Sequence, residues 1–230
     1  MLEAVNLSKS FNGTSALVDL NLSVSSGEIY CLLGQNGAGK TTTINLFLGL
    51  IKPTSGSALI KGVEVKPGTG TSQWIAYIPE IVQLYSNMNG LENLAFFSRL
   101  AGYKHSKEEL TGLLKKAGLP EEAHSKKLSH FSKGMRQKVG IAIALSKNAQ
   151  VVLMDEPTSG LDPKATDEFT SICKELAEEG KSIFMATHDI FNAVNVGTRI
   201  GIMKEGKLIH SSDTRDISAI ELQDLYLKTI

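Results

Sequence analysis

The feature that most constrains this chain is a glycine-rich stretch that fits the phosphate-binding loop G-x-x-x-x-G-K-[ST] at every fixed position. The stretch consists of Gly34, Gln35, Asn36, Gly37, Ala38, Gly39, Lys40 and Thr41, and Thr42 follows it. The apolar run at 28–33 is typical of a buried strand, and residues 42–48 are typical of a helix. We therefore predict a nucleoside triphosphate site and not a simple glycine-rich turn.

The residue types in this loop suit the binding of phosphate groups. Glycines let backbone N–H groups turn toward phosphate oxygens without a Cβ in the way. The N-terminus of the following helix adds unpaired N–H groups and a partial positive charge. Lys40 supplies a cation for the β- and γ-phosphates, and the hydroxyl of Thr41 is placed to bind Mg²⁺.

Composition limits the class of protein. The 230 residues suit one large domain, or one domain with an inserted lobe, and 42% of them are apolar. Lysine and arginine together number 24, as do aspartate and glutamate, so the net charge gives no argument for a nucleic-acid partner. No apolar run approaches the roughly 20 residues of a membrane span. We expect a soluble protein that reaches a membrane only through a partner, with Cys31 and Cys173 as buried thiols.

The pattern of apolar residues predicts an α/β fold. Alternation predicts strands at 2–7 and 16–24, which form a small antiparallel sheet ahead of the nucleotide core. Further strands are predicted at 57–60, 74–78, 151–154 and 183–186, a hairpin at 199–203 and 207–210, and a C-terminal helix at 216–228. We therefore predict a P-loop NTPase core with a mixed sheet and an N-terminal antiparallel β subdomain.

Residues from about 84 to 147 differ from the rest of the chain, because only helices are predicted between Leu91 and about Lys147. Ser106 and Glu109 form a capping box, and Ser132 is placed to cap a third helix. Asp162 and the proline after it begin another helix, beyond this region. We predict an α-helical subdomain inserted into the α/β core.

Two acidic residues, Asp155 and Glu156, follow the predicted strand at 151–154. Asp155 is placed to hold Mg²⁺ beside Thr41, and Glu156 is placed to polarise an attacking water. Two acids can also simply mark the end of a strand. The phosphate loop upstream favours the functional interpretation.

Three further segments sharpen the interpretation: Phe-Ser-Lys-Gly-Met-Arg-Gln at 131–137, Ser-Gly-Leu-Asp at 159–162 and Ala-Thr-His-Asp at 186–189. In this order and spacing, together with the phosphate loop and the acid pair, the chain resembles the ATP-binding subunit of an ATP-binding cassette (ABC) transporter. The resemblance covers nearly the whole chain. It implies one ABC ATP-binding domain over residues 1–230, with the helical lobe at about 84–147 inserted in it.

The resemblance implies roles in the chain's own nucleotide site. Phe11 matches the aromatic residue that stacks on adenine, and residues 34–42 bind the phosphates of ATP. Asp155 matches the acid on the Mg²⁺ side, Glu156 the catalytic glutamate and His188 the histidine that contacts the γ-phosphate. We expect the other histidines at the surface: His105, His124, His130 and His210.

Other positions imply a dimer. Ser132 and Gly134 match the signature segment, which binds the γ-phosphate of ATP held by the other copy, and Asp162 lies in a segment that communicates across the dimer. A helix N-terminus at Ser132 suits phosphate binding. The family works as head-to-tail dimers, so we expect a second copy or a paralogous ATPase subunit as partner.

The sequence departs from the family pattern in two places. The signature usually reads Leu-Ser-Gly-Gly-Gln, and here Phe131, Lys133 and Met135 replace three of those five residues. Glu80 stands where the family usually has a glutamine that contacts Mg²⁺ and the attacking water; Gln83 lies nearby, but its position fits less well. We expect Glu80 to be the third metal-side residue, after Thr41 and Asp155.

The pair Pro79-Glu80 and the altered signature resemble the branch whose members pair with separately encoded ABC-2-type transmembrane permease subunits, mostly exporters. This implies a cytoplasmic protein, peripheral on the cytoplasmic face of the cell membrane. Part of 84–100 is predicted to form a groove for a helix of the membrane partner. Core packing is the alternative for Phe96 and Phe97.

Two other functions are weighed against transport. One is a non-transport ABC ATPase that acts on ribosomes or nucleic acid, but such relatives usually carry two cassettes or a long coiled-coil or zinc insertion. With one cassette and a neutral charge, we expect no nucleic-acid partner. The other is a small phosphate-loop kinase or GTPase, which would leave 132–134 unexplained.

Overall fold

Two β-sheets and seven α-helices form the fold in the computed structural model, which describes residues 1–229. In chain order the strands are β1 (Leu2–Phe11), β2 (Thr14–Val24), β3 (Ile29–Leu33), β4 (Ser55–Ile60), β5 (Val63–Glu64), β6 (Ile75–Ile78), β7 (Val151–Asp155), β8 (Ser182–Thr187), β9 (Arg199–Lys204) and β10 (Lys207–Asp213). The helices are α1 (Lys40–Phe47), α2 (Gly90–Leu100), α3 (Lys107–Lys116), α4 (Lys133–Ser146), α5 (Pro163–Glu178), α6 (Ile190–Val196) and α7 (Ala219–Thr229).

The larger sheet is mixed, as predicted, and has the order β10-β9-β3-β8-β7-β6. Neighbouring strands from β9 to β6 are parallel, and only β10 runs antiparallel to β9. The order places β8 between β3 and β7. The phosphate loop, the acid pair and His188 follow or end these three strands, so they meet at one carboxyl edge of the sheet, where ligands bind in such folds.

The smaller sheet is antiparallel and has the order β2-β1-β4-β5. The predicted β1–β2 pair is confirmed, but β4 and β5 join it from beyond α1, so the sheet is not one continuous segment of the chain. β5 was not predicted, because two residues are too few to show a period.

Helices α2, α3 and α4 lie between β6 and β7 in sequence and pack against one another. The capping box at Ser106 and Glu109 and the cap at Ser132 are confirmed. α2 begins with a second capping box, Asn89 with Glu92, which the sequence analysis did not identify. No helix in residues 1–229 combines the length and the apolar character that crossing a bilayer requires.

Alternation along β3 divides the core between the two faces of the large sheet. Cys31 points into a cluster that includes α4 and α5, whereas Tyr30 and Leu32 point into a cluster that includes α1 and the small sheet. Cys31 and Cys173 are both buried and free, as predicted. Burial raises the pKa of the Cys31 thiol to about 12, so it stays protonated and unreactive at neutral pH.

The prediction of four surface histidines is wrong for His124, which is only 8% exposed. Its Nε2 lies 3.0 Å from the carbonyl oxygen of Leu119, so a hydrogen bond within a compact loop holds the ring inside. The loop has no regular period, and the sequence pattern therefore gave no sign of this burial.

Candidate active site

A cleft of about 210 Å³ lies at the carboxyl edge of the large sheet. It is lined by most of the residues that the sequence analysis singled out, together with Ala16: Gln35, Asn36, Gly37, Gly39, Lys40, Thr41, Thr42, Glu80, Asp155 and Glu156. Segments that are far apart in the sequence therefore supply one basic side chain, two hydroxyls and three carboxylates to the same small volume.

The loop conformation requires glycine at two positions. Gly39 precedes α1 with φ +110°, in the left-handed region, and a Cβ there would lie 2.7 Å from the carbonyl oxygen of Ala16. A Cβ on Gly34 would lie 2.7 Å from the carbonyl oxygen of Met203. Any larger residue would therefore push the loop away from its supports and widen the cleft.

Lys40 is folded back over the loop and is only 6% exposed. Its Nζ donates hydrogen bonds to the carbonyl oxygens of Gly34 (2.5 Å) and Gln35 (3.3 Å), and it lies 3.5 Å from Oε1 of Glu156. The ammonium group is thus held at the loop beside a carboxylate. Phosphate oxygens entering the cleft offer it stronger, charge-assisted hydrogen bonds than these carbonyls do.

Asp155 ends β7 and faces the start of α1. Its Oδ2 accepts a hydrogen bond of 3.0 Å from the hydroxyl of Thr41. Burial is the main cause that raises the pKa of the Asp155 carboxyl, with Glu156 and Glu80 raising it further, while Thr41 and Lys40 oppose the shift. The negative charge of Asp155 is therefore under-compensated, and a cation in the cleft would stabilise it.

The donor set in the cleft fits a hard divalent cation. Thr41 and Asp155 offer a hydroxyl and a carboxylate 3.0 Å apart, and Glu80 lines the same cleft. In residues 1–229 no cluster of three or more His, Cys, Asp or Glu side chains is placed to hold a metal by itself. Magnesium suits such a partial site, because it keeps several waters and takes phosphate oxygens as ligands. Gln83 does not line the cleft.

Glu156 follows β7, and its side chain contacts His188, which follows the adjacent parallel strand β8. Oε2 of Glu156 lies 2.8 Å from Nδ1 of His188 and accepts a weaker bond from the backbone N–H of that residue, at 3.3 Å. The backbone of Glu156 has φ +45°, in the left-handed region that non-glycine residues rarely adopt. Such strain concentrates at functional sites, and here it directs the carboxylate toward the cleft.

Seven predicted site residues do not line the cleft. Gly34 and Ala38 belong to the phosphate loop and His188 contacts Glu156, whereas the other four lie elsewhere: Phe11, Ser132, Gly134 and Asp162. Phe11 ends β1 with 45% of its surface exposed, and Nζ of Lys9 lies 4.8 Å from the centre of its ring. Ser132 and Asp162 cap α4 and α5, and Gly134 is in the first turn of α4. The structure therefore does not bring the signature segment to the nucleotide cleft of the same chain.

Two residues that contact this region were not singled out. Ala16 lines the cleft from β2, and nothing in its local sequence indicates this, because it arrives from the other sheet. The hydroxyl of Ser159 donates a hydrogen bond of 3.0 Å to Oε1 of Glu80. Its place in the Ser-Gly-Leu-Asp segment was the only signal.

A second surface feature is an apolar groove of about 730 Å³ along α2. The lining residues are Asn87, Met88, Glu92, Ala95, Phe96, Arg99 and Leu100. Beside it, the ring of Tyr85 packs edge to face on Phe96 (5.0 Å between centroids) and stacks on Phe97 (6.0 Å). Tyr85 remains 47% exposed and Phe96 37% exposed, so these rings are not fully used in packing the core.

Comparisons with known proteins show which family this sequence resembles. The sequence model of the family described as "ABC transporter" matches residues 17–159. The bacitracin transport ATP-binding protein BcrA of Bacillus licheniformis is 37% identical over 211 residues, which are 91% of this chain and 68% of BcrA. The lantibiotic transport ATP-binding protein SrtF of Streptococcus pyogenes is 34% identical over 209 residues, which are 91% of this chain and 89% of SrtF.

A solved structure extends the similarity to the fold. It is the dimeric structure of a post-hydrolysis state of the ATP-binding cassette MJ0796 bound to ADP and Pi. The TM-score is 0.83 at 28% sequence identity, over 94% of this chain and 99% of MJ0796. The fold described above is therefore that of an ATP-binding cassette.

Proposed function

Because this chain belongs to the ABC transporter family, as an ATP-binding subunit, we propose that it couples ATP hydrolysis to export through separately encoded membrane subunits. Members of the family bind and hydrolyse ATP. Coupling, direction and the roles of individual residues are our proposals for this chain. The family match and the names of the relatives favour it over an ATPase that acts on ribosomes or nucleic acid.

The observation that carries the proposal is the meeting of Lys40, Thr41, Asp155 and Glu156 in one cleft. Lys40 lies 3.5 Å from Glu156, and Thr41 donates to Asp155 at 3.0 Å, although more than 110 residues separate the loop from the acid pair. This combination of a cation, a hydroxyl and two carboxylates suits phosphoryl transfer to water.

We propose that the residues of the cleft act in turn. Lys40 leaves the loop carbonyls and binds the β- and γ-phosphates, because charge-assisted bonds are the stronger ones. Glu156 then loses its ion-pair partner, and Oε1, which makes no hydrogen bond among the described residues, is free to polarise the attacking water. His188, bonded to Oε2, keeps the carboxylate in position and lies where it can contact the γ-phosphate.

Magnesium completes this proposal. Thr41 and Asp155 would hold Mg²⁺, with Glu80 on the same side of the cleft. When bound, the ion neutralises the charge that develops on the phosphate oxygens. The three carboxylates of the cleft, whose mutual repulsion helps to raise the pKa of Asp155, would be relieved by the same charge.

The second copy supplies what one cleft lacks. Ser132 and Gly134 are at the N-terminus of α4, outside the cleft of their own chain. We propose that this helix end, with Asp162 in the adjoining segment, faces the γ-phosphate held by another copy in a head-to-tail dimer. The dimeric structure of the similar cassette MJ0796 supports this arrangement. Phe11, exposed at the end of β1, is proposed to stack on adenine.

The groove along α2 is the proposed docking site for a helix of the membrane subunit. It offers exposed apolar surface, and Tyr85 and Phe96 present aromatic faces beside it. Docking there would hold the chain at the cytoplasmic face of the membrane. The bacitracin and lantibiotic relatives are named as transport proteins, which favours export of a small toxic compound or peptide.

The proposal is tested by pulling the tagged chain down from detergent-solubilised native membranes and identifying co-purifying proteins by mass spectrometry. We expect a polytopic membrane protein at matched stoichiometry. Ribosomal proteins or nucleic acid with no membrane partner would overturn the transport role and leave the ATPase assignment standing.

The groove is tested in the same pull-down with Tyr85→Glu, which places a charge beside the aromatic cluster. We expect loss of the membrane partner with ATPase activity of the isolated chain retained. Leu227→Glu is the matched control, because Leu227 is 61% exposed on α7, away from the groove. Recovery of the partner in equal amounts with both variants would remove Tyr85 from the docking site.

A further inference from the structure

Two of the residues that depart from the family pattern, Glu80 and Lys133, bind the same residue. The hydroxyl of Ser159 donates a hydrogen bond of 3.0 Å to Oε1 of Glu80. The backbone carbonyl of Ser159 accepts a hydrogen bond from Nζ of Lys133. An acidic side chain at the edge of the nucleotide cleft is thereby joined to a basic side chain in the first turn of α4 through one intervening residue.

A third contact closes these bonds into a ring. Gln137 lies four residues after Lys133, on the same face of α4, and is only 1% exposed. Its Nε2 donates to the backbone carbonyls of Glu80 (3.1 Å) and Pro79 (3.4 Å). The N-terminal part of α4 is therefore attached both directly to the backbone at Glu80 and indirectly to the Glu80 side chain.

This ring of hydrogen bonds is also attached to the carboxyl edge of the large sheet. The backbone N–H of Ser159 donates to the carbonyl of Glu156 at 3.1 Å, so a tight turn connects Ser159 to the acid pair. Gly160 follows with φ +68°, in the left-handed region that glycine adopts without strain. Glu80 and Glu156 are thus both bonded to Ser159, and Lys133 joins Ser159 to α4.

We propose that Glu80, Ser159 and Lys133 act as a positioning link between the nucleotide cleft of one chain and its α4 N-terminus. This rests on the proposed head-to-tail dimer, in which that helix end serves the nucleotide of the other copy. When nucleotide and its cation draw Glu80 into the cleft, Ser159 and Lys133 carry the change to α4. Occupancy of one site then favours correct placement of the signature segment for the second site, which makes the two sites cooperative.

The test measures ATP-dependent dimerisation of the full chain by analytical ultracentrifugation, in a Glu156→Gln background that binds ATP without turnover. ATP affinity of the monomer is measured separately at low protein concentration with a fluorescent ATP analogue. We expect Ser159→Ala and Lys133→Met each to weaken dimerisation about tenfold, since each removes one hydrogen bond to a charged group. Monomer affinity for ATP should change by less than about twofold.

A double variant distinguishes a link from two separate anchors. If the two hydrogen bonds act in series, loss of either one disconnects the link. The double variant Ser159→Ala with Lys133→Met should therefore weaken dimerisation no more than either single variant does. The conservative variant Lys133→Arg should dimerise like the parent, because a guanidinium also donates a hydrogen bond to a carbonyl. Lys138→Met is the matched control: this lysine of α4 is tied to Glu168 of α5 at 2.5 Å and has no bond to Ser159. It should dimerise like the parent.

Three results would overturn the link: losses that multiply to about 100-fold in the double variant, an equal loss with Lys138→Met, or no loss with Lys133→Met. Each of these leaves the proposed function intact, because the parent still dimerises with ATP. A parent chain with Glu156→Gln that binds ATP but never dimerises would instead overturn the head-to-tail arrangement, and the link with it.

Discussion

The cleft at the end of β3 and the N-terminus of α4 both suit phosphate, yet they are built differently. In the cleft, Lys40, Thr41, Asp155 and Glu156 are already within 3.0–3.5 Å of partners in the same chain. At α4, Ser132 uses its hydroxyl to cap its own helix, and the cleft residues lie elsewhere. We therefore propose that one region is a nearly complete catalytic site and that the other is a surface that needs a second molecule.

On this proposal the cleft carries out the chemistry of ATP, and the N-terminus of α4 acts when two chains assemble. Changes in the cleft should alter ATP binding or turnover in any oligomeric state. Changes at α4 should leave ATP binding by a single chain intact and act only when two chains meet. This contrast provides a way to test which residues belong to which region.

The largest effect is expected from Glu156→Gln. An amide cannot take a proton from the attacking water, so turnover should fall by at least about 100-fold while ATP binding persists. A dimer trapped with ATP should accumulate. Phosphate release and size-exclusion chromatography measure the two effects, with Glu122→Gln, an exposed glutamate, as control. Turnover at the parent rate would remove Glu156 from catalysis.

Lys40→Ala should act one step earlier, on binding. Removal of the ammonium leaves the phosphates without their main side-chain counterion, so ATP affinity should fall by about tenfold to 100-fold. Equilibrium binding of a fluorescent ATP analogue is the measurement. Lys104→Ala, at an exposed position, should bind like the parent. Unchanged affinity with Lys40→Ala would contradict the assignment of the cleft.

Gly134→Ala tests the other region. An added Cβ would meet Ala165 at 3.4 Å, an ordinary contact, so the single chain should fold normally. In a dimer the same methyl would separate α4 from the phosphate, and we expect ATPase activity to fall roughly tenfold with monomer affinity retained. Gly112→Ala, in α3 with open space around it, is the control. If the monomer of Gly134→Ala lost affinity for ATP by the same factor as it lost ATPase activity, the proposed contrast between the two regions would be wrong.

The smallest effect concerns stability and pH. The pKa of Asp155 is raised mainly by burial, so its ionisation favours the unfolded chain. Asp155→Asn should therefore increase the free energy of unfolding of the nucleotide-free protein at neutral pH, by less than about 1 kcal/mol because the group is partly exposed. The gain should shrink as pH falls through the raised pKa of the folded state, and it should vanish below the ordinary pKa of aspartate, where both states are protonated. Urea denaturation at several pH values checks this, and a loss of stability at neutral pH would contradict it.

The helical lobe shows which structural features can be predicted from the sequence pattern alone. Capping chemistry at Ser106 and Ser132 located two helix starts correctly, because a cap is a contact over three residues and is visible in sequence. Burial of His124 and the strand β5 were missed although their partners, Leu119 and β4, are close in the sequence, because an irregular loop and a two-residue strand show no period. The features that were missed are therefore the ones too short or too irregular to carry a periodic signal.

The sequence by itself determined the phosphate loop, the acid pair at the end of a buried strand, and the order of strands and helices, since each is written in local spacing. Only the tertiary structure decided which of these meet. It placed Glu156 on Lys40 and His188, excluded Ser132 and Gly134 from the chain's own cleft, and joined Glu80 to Lys133 through Ser159. The physical reason is that the sheet order β3-β8-β7 and the packing of α4 bring together residues that are far apart in the sequence. Lys40 and Glu156, for example, are 116 positions apart, and no local pattern encodes such a contact.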